Sequence, residues 1–417
     1  MANRTVVITG MGIVSSIGYD LQQFNQGLHR AESGLTVMDD SVLKVSGNIN
    51  EFNLEDAGIF KELPDTLKKN TMRIIRRMTP AVQTTVTAVL QAWKQAGMIE
   101  EMIDPERISV LTAGSNLSQG FMYNNFNKYA DAPEYISPSY AIQHFDTNYN
   151  GVLSTILNIK GEGMTIGGAS ASGNVTLIQG WRMIKYGICD ICVCAAPMYD
   201  FSPVEIRAFS NLGALGDYSS FRNAMEASRP FDSAHKGFVP GQASACIILE
   251  SEEHARKRNQ EVLAGFAGGA VILDANHLSD ARKSGEIGVM TKAVNDSGLS
   301  IAGIDYINTH GTSTPKGDEI EAEAIAEVIE GYKENVWINS TKSLVGHCMY
   351  SAGVVEVIAC VCQMRENYIH SSLNLENPIR EDLKFAHHTM EGEKIRAAMS
   401  NSFGFGGINS SIILTKI

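Results

Sequence analysis

Short runs of β-branched and other apolar residues alternate with longer amphipathic segments along this chain, and this alternation constrains its fold more than any other feature. Four runs have the composition of buried strands: residues 6–8, 108–112, 191–194 and 245–249. Four longer segments have apolar residues at helical spacing: residues 21–30, 81–96, 172–186 and 351–363. Strands that alternate with helices in this way predict an α/β fold.

The chain has 417 residues, of which 44% are hydrophobic and 19% are charged. This length suits two or three average domains, or one large duplicated unit with a sizeable core. A charged segment at residues 251–260 follows the last predicted strand, and we place a boundary there between the halves 1–255 and 256–417. No run of eighteen apolar residues occurs, so the sequence predicts no membrane span.

The formal net charge of −12 argues against a general nucleic-acid-binding protein. One segment of ten residues departs from this acidic balance and carries five cations: Lys68, Lys69, Arg73, Arg76 and Arg77. Such a run is compatible with a solvated helix face or with a docking site for an acidic partner, and the charge pattern alone leaves both interpretations open.

Seven cysteines are present, and Cys189 and Cys192 have the C-x-x-C spacing of some zinc and redox sites. No second pair or flanking histidine completes a zinc set, and residues 188–196 have the pattern of a buried strand, where cysteine acts as a small hydrophobe. We therefore predict no metal site. The odd count, and a start that runs into the first predicted strand without a signal peptide, indicate a reducing cytoplasm.

Residues 165–173 combine three glycines with small and hydroxyl residues at the start of a predicted helix. This pattern places Ser170 on a tight turn at a helix N-terminus, where free N–H groups and the helix dipole favour negative charge. Ser170 could serve there as a nucleophile if a base is positioned to activate it, or simply as a helix N-cap. The esterase pattern G-x-S-x-G is a near miss, because Ser172 stands at its final glycine.

His310 follows a predicted strand and lies in a polar turn, whereas His347 precedes the predicted helix 351–363. A single histidine at either place would more often be structural than catalytic. The two histidines, together with Lys342 and hydroxyl-rich flanks, all lie at the ends of predicted elements. This combination favours the interpretation that both histidines belong to one catalytic site.

Six segments, in this order, make the chain similar to the β-ketoacyl-carrier-protein synthases, or ketosynthases: residues 6–15, 76–78, 228–232, 310–318, 340–347 and 401–407. The resemblance extends over nearly the whole length. It implies a thiolase-like, five-layered α/β/α/β/α architecture of two similar halves. It also implies a homodimer that works on substrates attached to an acyl carrier protein.

Carried over residue by residue, the resemblance implies that Ser170 stands at the nucleophile position and that His310 and His347 are the catalytic histidines. It implies that Lys342 supports His347. The remaining implied roles are pantetheine binding by Thr312 and Thr314, a glycine-rich gating loop with Phe405 and Gly406, and carrier-protein docking by Arg73, Arg76 and Arg77.

Two positions depart from the family pattern. Ser170 stands where the family has its attacking cysteine, and Gln242 stands where it usually has glutamate. A cysteine at such a turn becomes a thiolate, whereas a serine hydroxyl stays protonated near neutral pH. The resemblance attaches no clear consequence to Gln242.

A condensing enzyme first takes an acyl chain onto its thiolate and then decarboxylates a malonyl thioester to an enolate that attacks that chain. Serine removes the first step, whereas donors aimed at the enolate oxygen still permit the second. We therefore expect a malonyl-carrier-protein decarboxylase that releases acetyl-carrier protein and CO2. In this respect the chain resembles the cysteine-to-serine ketosynthases of polyketide pathways, and that resemblance implies a place in a β-branching cassette. We expect no cofactor, because the thioester itself accepts the electrons.

Three alternatives remain open from the sequence. The chain could be a condensing enzyme whose cysteine was replaced by engineering, although the turn also lacks the threonine that usually precedes its alanine. It could be a non-catalytic partner of the chain-length-factor kind, which has little need of both histidines and Lys342. It could also be an acyltransferase or hydrolase that works through Ser170, if a histidine lies within hydrogen-bond reach.

Overall fold

The structure is a computed structural model that describes residues 4–40, 42–49, 52–55, 57–99, 101, 103–216, 218, 221, 223–277 and 279–417. These residues form fourteen β-strands and fourteen α-helices, with six short 3-10 helices between them. Residues 1–3, part of the start from which we expect no signal peptide, lie outside the described residues.

The strands, numbered in chain order, are β1 Val6–Ser15, β2 Thr36–Val37, β3 Val45–Ser46, β4 Ile108–Ala113, β5 Gly163–Ile166, β6 Ile191–Ala196, β7 Ala243–Ser251, β8 Ala264–Leu273, β9 Tyr306–Asn308, β10 Trp337–Asn339, β11 Tyr368–Ile369, β12 Met390–Glu391, β13 Ala397–Gly404 and β14 Ile408–Thr415. The helices are α1 Leu21–His29, α2 Ile59–Glu62, α3 Asp65–Ile75, α4 Pro80–Gln95, α5 Gln119–Asp131, α6 Tyr140–Gln143, α7 Thr147–Leu157, α8 Ser172–Lys185, α9 Pro203–Asn211, α10 Glu252–Lys257, α11 Lys283–Ser297, α12 Pro315–Val328, α13 Lys342–Val345 and α14 Ala352–Glu366. All eight segments expected from the apolar pattern are therefore elements of the predicted type.

The first strand is longer than the apolar pattern predicted, because β1 continues through Gly10 and Gly12 to Ser15. Both glycines lie against α4. A Cβ atom at Gly10 would come within 2.2 Å of the Ala92 carbonyl oxygen, and one at Gly12 within 2.0 Å of the Ala88 carbonyl oxygen. Glycine thus allows the helix to lie directly on the strand.

Ten strands form one sheet in the order β10-β9-β13-β14-β8-β1-β7-β6-β4-β5. Five of them come from each half of the chain. The two groups meet where β1 pairs with β8 through only two residue pairs, Val7 with Gly265 and Ile8 with Ala264. This sheet thus consists of two five-stranded halves that are joined by a short junction.

The helices lie in three layers around these strands. The buried helices α8 and α14 pack against each other and contact strands of both halves. On one outer face α4 covers β1 and β7, and on the other α11 covers β8 and β14 and packs against α12. Three large hydrophobic clusters fill the interfaces between the layers. This arrangement is the α/β/α/β/α architecture that the resemblance implied.

The buried strand predicted at residues 188–196 is present as β6, which is shorter and contains Cys192 and Cys194, whereas Cys189 lies just before it. All seven cysteines are buried and unpaired. The charged segment 251–260 forms α10 and the link between β7 and β8. No helix formed by the described residues is both long and apolar enough to cross a membrane.

Candidate active site

A cavity of about 550 Å³ collects side chains from four separate connections of the fold. Ser170 comes from the turn between β5 and α8, and His310 from the loop between β9 and α12. His347 follows α13, and Phe405 lies between β13 and β14. All four residues line the cavity, so the fold brings together segments that are up to 235 residues apart.

Ser170 lies in a single 3-10 turn, Ala169–Ala171, that leads into α8. The preceding Ala169 has a φ of +47°, a left-handed conformation that costs energy for a residue with a side chain. The turn also lies close against β13, where a Cβ atom at Gly404 would come within 2.6 Å of the Gly168 carbonyl oxygen. The backbone therefore holds Ser170 in a constrained, half-buried position at the edge of the cavity.

The Ser170 hydroxyl does not cap α8. Its Oγ lies 2.8 Å from Nε2 of His347, whereas the N-cap of α8 is Ala171, which makes no side-chain cap bond. Of the two interpretations left open by the sequence, the N-cap is therefore wrong. Ser170 faces a histidine that lies 177 residues further along the chain.

The tautomer of His347 follows from the hydrogen bond made by its other ring nitrogen, Nδ1. The backbone N–H of Met349 donates to Nδ1 of His347 over 3.2 Å, so Nδ1 is the unprotonated nitrogen. The ring proton therefore lies on Nε2, and His347 donates to Ser170 rather than accepting its proton. In this arrangement His347 is an N–H donor and not the base that a serine nucleophile requires.

His310 faces His347 edge to face, with 5.5 Å between the ring centroids. Its Nδ1 is buried without a hydrogen-bond partner among the described residues. A proton there would be an unpaired buried donor, so the favoured tautomer carries its proton on Nε2. Two neutral N–H donors thus belong to one site.

Both histidines are neutral near physiological pH. Burial lowers the pKa of His310 well below its usual value, and the positive charge of Lys342 and the neighbouring His347 add to this effect. Burial, followed by the charge of Lys342, likewise lowers the pKa of His347. Neutral rings keep a single N–H each, whose position is set by the contacts described above.

Lys342 is buried and forms an ion pair with Glu356 of α14. No hydrogen bond joins its amino group to either histidine, and its effect on His347 is that of a nearby positive charge. Burial raises the pKa of Glu356 to about 7, although the positive charge and hydrogen bond of Lys342 oppose that rise. The sequence interpretation missed Glu356, but a glutamate inside the apolar helix Ala352–Glu366 is a detectable signal for a buried partner.

The loop that carries His310 is held by two buried carboxyl groups of α12. Glu321 accepts the backbone N–H groups of His310 and Gly311 at 2.7 Å each. Asp318 accepts the N–H groups of Thr312 and Ser313. Nothing in the acidic sequence of α12 distinguished these two carboxylates from exposed ones, so sequence reasoning missed their role.

The remaining expected residues are distributed as follows. Thr312 and Thr314 line the cavity, with their hydroxyl oxygens 2.8 Å apart. Phe405 lines it with 45% of its surface exposed, and Gly406 beside it has a φ of +89°. Gln242 lies elsewhere and accepts the Ile49 N–H at 3.0 Å. It therefore joins two loops and does not enter the cavity.

Two family models match this chain in order. That of the beta-ketoacyl synthase N-terminal domain matches residues 3–255, and that of the C-terminal domain matches residues 263–376. The chain belongs to the β-ketoacyl synthase family. Its resemblance to ketosynthases, expected from six sequence segments, is thereby confirmed.

Among curated relatives, this ketosynthase is 33% identical to the polyketide biosynthesis malonyl-ACP decarboxylase PksF of Bacillus subtilis (strain 168), over 99% of this chain and 96% of that protein. It is 31% identical to the 3-oxoacyl-[acyl-carrier-protein] synthase 2 of Coxiella burnetii (strain RSA 493 / Nine Mile phase I), over the full length of both. Its relatives thus include both a decarboxylase and condensing enzymes.

Solved structures agree on the fold. A β-ketoacyl synthase from Burkholderia phymatum STM815 superposes with a TM-score of 0.85 at 25% identity, covering 99% of this ketosynthase and all of that chain. The type II polyketide ketosynthase AntDE, solved in complex with its acyl-carrier protein AntF, superposes with a TM-score of 0.88 at 24% identity and covers both chains fully. The thiolase-like fold is confirmed by these likenesses.

Proposed function

We propose that this ketosynthase decarboxylates a malonyl group carried by an acyl carrier protein, giving acetyl-carrier protein and CO2, in the β-branching part of a polyketide pathway. The observation that carries the proposal is the hydrogen bond from His347 Nε2 to Ser170 Oγ. It makes Ser170 an acceptor with no base to activate it, while two neutral histidines remain beside it. The identity to a malonyl-ACP decarboxylase supports the same reaction.

The chemistry needs only a site for a developing negative charge. The bond between the malonyl carboxylate and its α-carbon breaks, CO2 leaves, and the electron pair forms an enolate whose charge lies on the thioester oxygen. The N–H groups of His310 and His347 are the donors for that oxygen, each contributing about 3 kcal/mol. A proton then adds to the α-carbon and gives the acetyl thioester.

Transfer or hydrolysis through Ser170 is the weaker candidate. Such chemistry needs a histidine that accepts the serine proton and an acid that orients this histidine. Here Nδ1 of His347 is held by a backbone N–H, which fixes the tautomer that donates to Ser170. A non-catalytic partner role would leave unexplained the ordered histidine pair in a cavity of about 550 Å³.

The partner that we propose is an acidic carrier protein bound at α3. Arg73, Arg76 and Arg77 lie at the end of this helix and are exposed. In the part of the chain that the structure describes, none of the three forms an ion pair, and Arg73 bonds only to the Asn70 side chain. Unpaired arginines on an acidic protein suit a partner of opposite charge.

We also propose that two copies of the chain associate through β5. This strand ends the ten-stranded sheet, and no strand of the described chain pairs with its outer edge. The opposite edge is covered, because Ile338 of β10 exchanges hydrogen bonds with Lys384 and Ala386. An uncovered edge strand is a natural pairing surface for a second copy.

The deciding experiment uses malonyl-carrier protein as the sole substrate. The carrier is followed by intact mass and released CO2 is quantified. We expect conversion of malonyl to acetyl with one CO2 per turnover and no condensed product. A malonyl group that stays intact, or a stable acyl adduct on Ser170, would contradict the proposal.

A further inference from the structure

A contiguous series of aromatic side chains borders the cavity, and three of its members, Phe209, Phe238 and Tyr350, line the cavity together with Ser170. His347 contacts Phe238 edge to face at 5.7 Å, and Phe238 contacts Phe209 at 5.5 Å. The series continues through Phe201 and Tyr199 and ends at Tyr350, whose ring centroid lies 5.0 Å from that of Tyr199.

Tyr350 lines the cavity together with Ser170. It belongs to the short 3-10 helix Met349–Ser351, which packs against the turn Ala169–Ala171. Its ring lies over Gly114, where an added Cβ atom would come within 2.8 Å of the ring. The next residue, Ser115, lies beside Gly167 of the serine turn. The Tyr350 ring is thus packed against Gly114, and the neighbouring Ser115 in turn lies against the serine turn.

The position of Tyr350 is fixed from several sides. The preceding Met349 has a φ of +54° and binds His347 through its N–H group. Tyr199, which contacts the ring, is only 4% exposed. Burial raises the pKa of Tyr350, and hydrogen bonding of its hydroxyl to Ser115 and Tyr199 opposes that rise. An acyl chain could displace the ring only by breaking these contacts.

We infer that Tyr350 closes the inner end of the cavity, so that the site holds a malonyl thioester but has no room for a longer acyl chain beside residue 170. This inference rests on the proposed function and narrows its substrate class to short acyl thioesters. Two independent features then oppose condensation: the missing thiol at Ser170 and the missing space behind it. Restoring cysteine alone would remove only the first.

The test uses acyl loading, which does not depend on decarboxylation. In a Ser170→Cys variant, the thiolate attacks the carbonyl of an S-acyl-pantetheine, an acyl-cysteine thioester forms, and pantetheine leaves as its thiol. The probes are acetyl-, hexanoyl- and octanoyl-pantetheine, and loading is followed by intact mass. We expect octanoyl loading to be slower than acetyl loading by about tenfold or more, because extra methylenes enter a filled site.

Adding Tyr350→Ala to this variant should restore octanoyl loading to near the acetyl rate. The matched control, Tyr350→Phe, keeps the aromatic ring, so its octanoyl loading should stay slow. Equal acetyl and octanoyl rates with Tyr350 intact would overturn the inference. If the alanine variant does not fold, the acetyl, hexanoyl and octanoyl loading rates of the Ser170→Cys variant alone test the inference.

If the cysteine variant loads no acyl group, binding of octanoyl-pantetheine to the Ser170 protein is measured by calorimetry. Tighter binding after Tyr350→Ala supports closure, and equal binding overturns it. Failure of the proposed function is separate, because it is seen as an intact malonyl group in the unaltered protein, whatever the loading profile.

Discussion

At the scale of single residues, this site is defined by which nitrogen of His347 carries the proton. A backbone N–H occupies Nδ1, so Nε2 donates to whatever lies in front of it, a hydroxyl in the free protein. A developing enolate oxygen is a much stronger acceptor than a hydroxyl. The same contact that leaves Ser170 unactivated therefore prepares the ring for the proposed transition state.

Removing either donor should slow decarboxylation. We expect His310→Ala and His347→Ala each to lower kcat by about 10²–10³, the usual cost of losing one oxyanion donor. Ser170→Ala should change kcat by only about twofold, because Ser170 supplies no donor to the enolate in this mechanism. The measurement is CO2 release from malonyl-pantetheine. A Ser170→Ala loss as large as that of the histidine variants would show a direct role for the hydroxyl.

The buried ion pair between Lys342 and Glu356 should be costly to break. Lys342→Met leaves a carboxyl group in an apolar core, and we expect the free energy of unfolding to fall by about 3–5 kcal/mol. A double variant, Lys342→Met with Glu356→Leu, should recover most of that loss. Denaturant unfolding measures both. Lys257→Met, which breaks the exposed pair with Glu253, is the control and should leave the midpoint unchanged.

The buried carboxyl of Glu321 gives a pH dependence with a definite sign. Burial raises its pKa to about 8 in the folded chain, against an ordinary value of 4.5. Over that interval the folded protein keeps a proton that the unfolded chain has lost, so stability falls as the pH rises. The lowered pKa values of His310 and His347 act in the opposite sense, but only below about pH 6.5, where the unfolded histidines take up protons.

Between pH 6.5 and 8 the Glu321 effect should therefore be visible. We expect the free energy of unfolding to fall with a slope of up to about 1.4 kcal/mol per pH unit from this group. Glu321→Gln should make the slope shallower. Burial raises the pKa of Glu286 as well, and the neighbouring Glu321 adds to that rise, so the variant also reduces part of the Glu286 contribution. Identical slopes for the two proteins would contradict this assignment.

At the scale of elements, the docking that we propose at α3 is separate in space from the proposed chemistry. Its arginines lie outside the cavity, so we expect Arg73→Glu, Arg76→Glu and Arg77→Glu together to lower kcat/KM for malonyl-carrier protein by about tenfold or more. Activity on malonyl-pantetheine should not change. Lys160 and Lys394, two exposed cations outside α3, provide the control when changed to glutamate. Equal losses on both substrates would show that the arginines stabilise the fold and do not bind the carrier protein.

At the scale of the whole molecule, ten strands make one sheet with one covered and one open edge. If two copies pair at β5, light scattering should give the mass of two chains at micromolar concentration. Met164, 36% exposed in the middle of this strand, is the position to change. Met164→Lys should shift the equilibrium towards monomers, because a charge on an edge strand opposes pairing. A monomer in the unaltered protein would rule out the association.

The sequence by itself determined the local elements and the type of fold. Apolar periodicity is set by residues near one another, so β4, β6 and α8 were predicted close to their observed bounds. The motifs also identified which side chains meet, because Ser170, His310, His347 and Thr312 line one cavity. Each of these inferences needed only residue type, spacing and resemblance.

Only the tertiary structure decided what those side chains do to one another. The donor role of His347 depends on a backbone N–H at Nδ1 and on a hydroxyl 177 residues away. The pairing of Lys342 with Glu356 and the position of Tyr350 over Gly114 likewise depend on packing between distant segments. Proton position, burial and free space are properties of three-dimensional neighbours, and a linear pattern does not contain them.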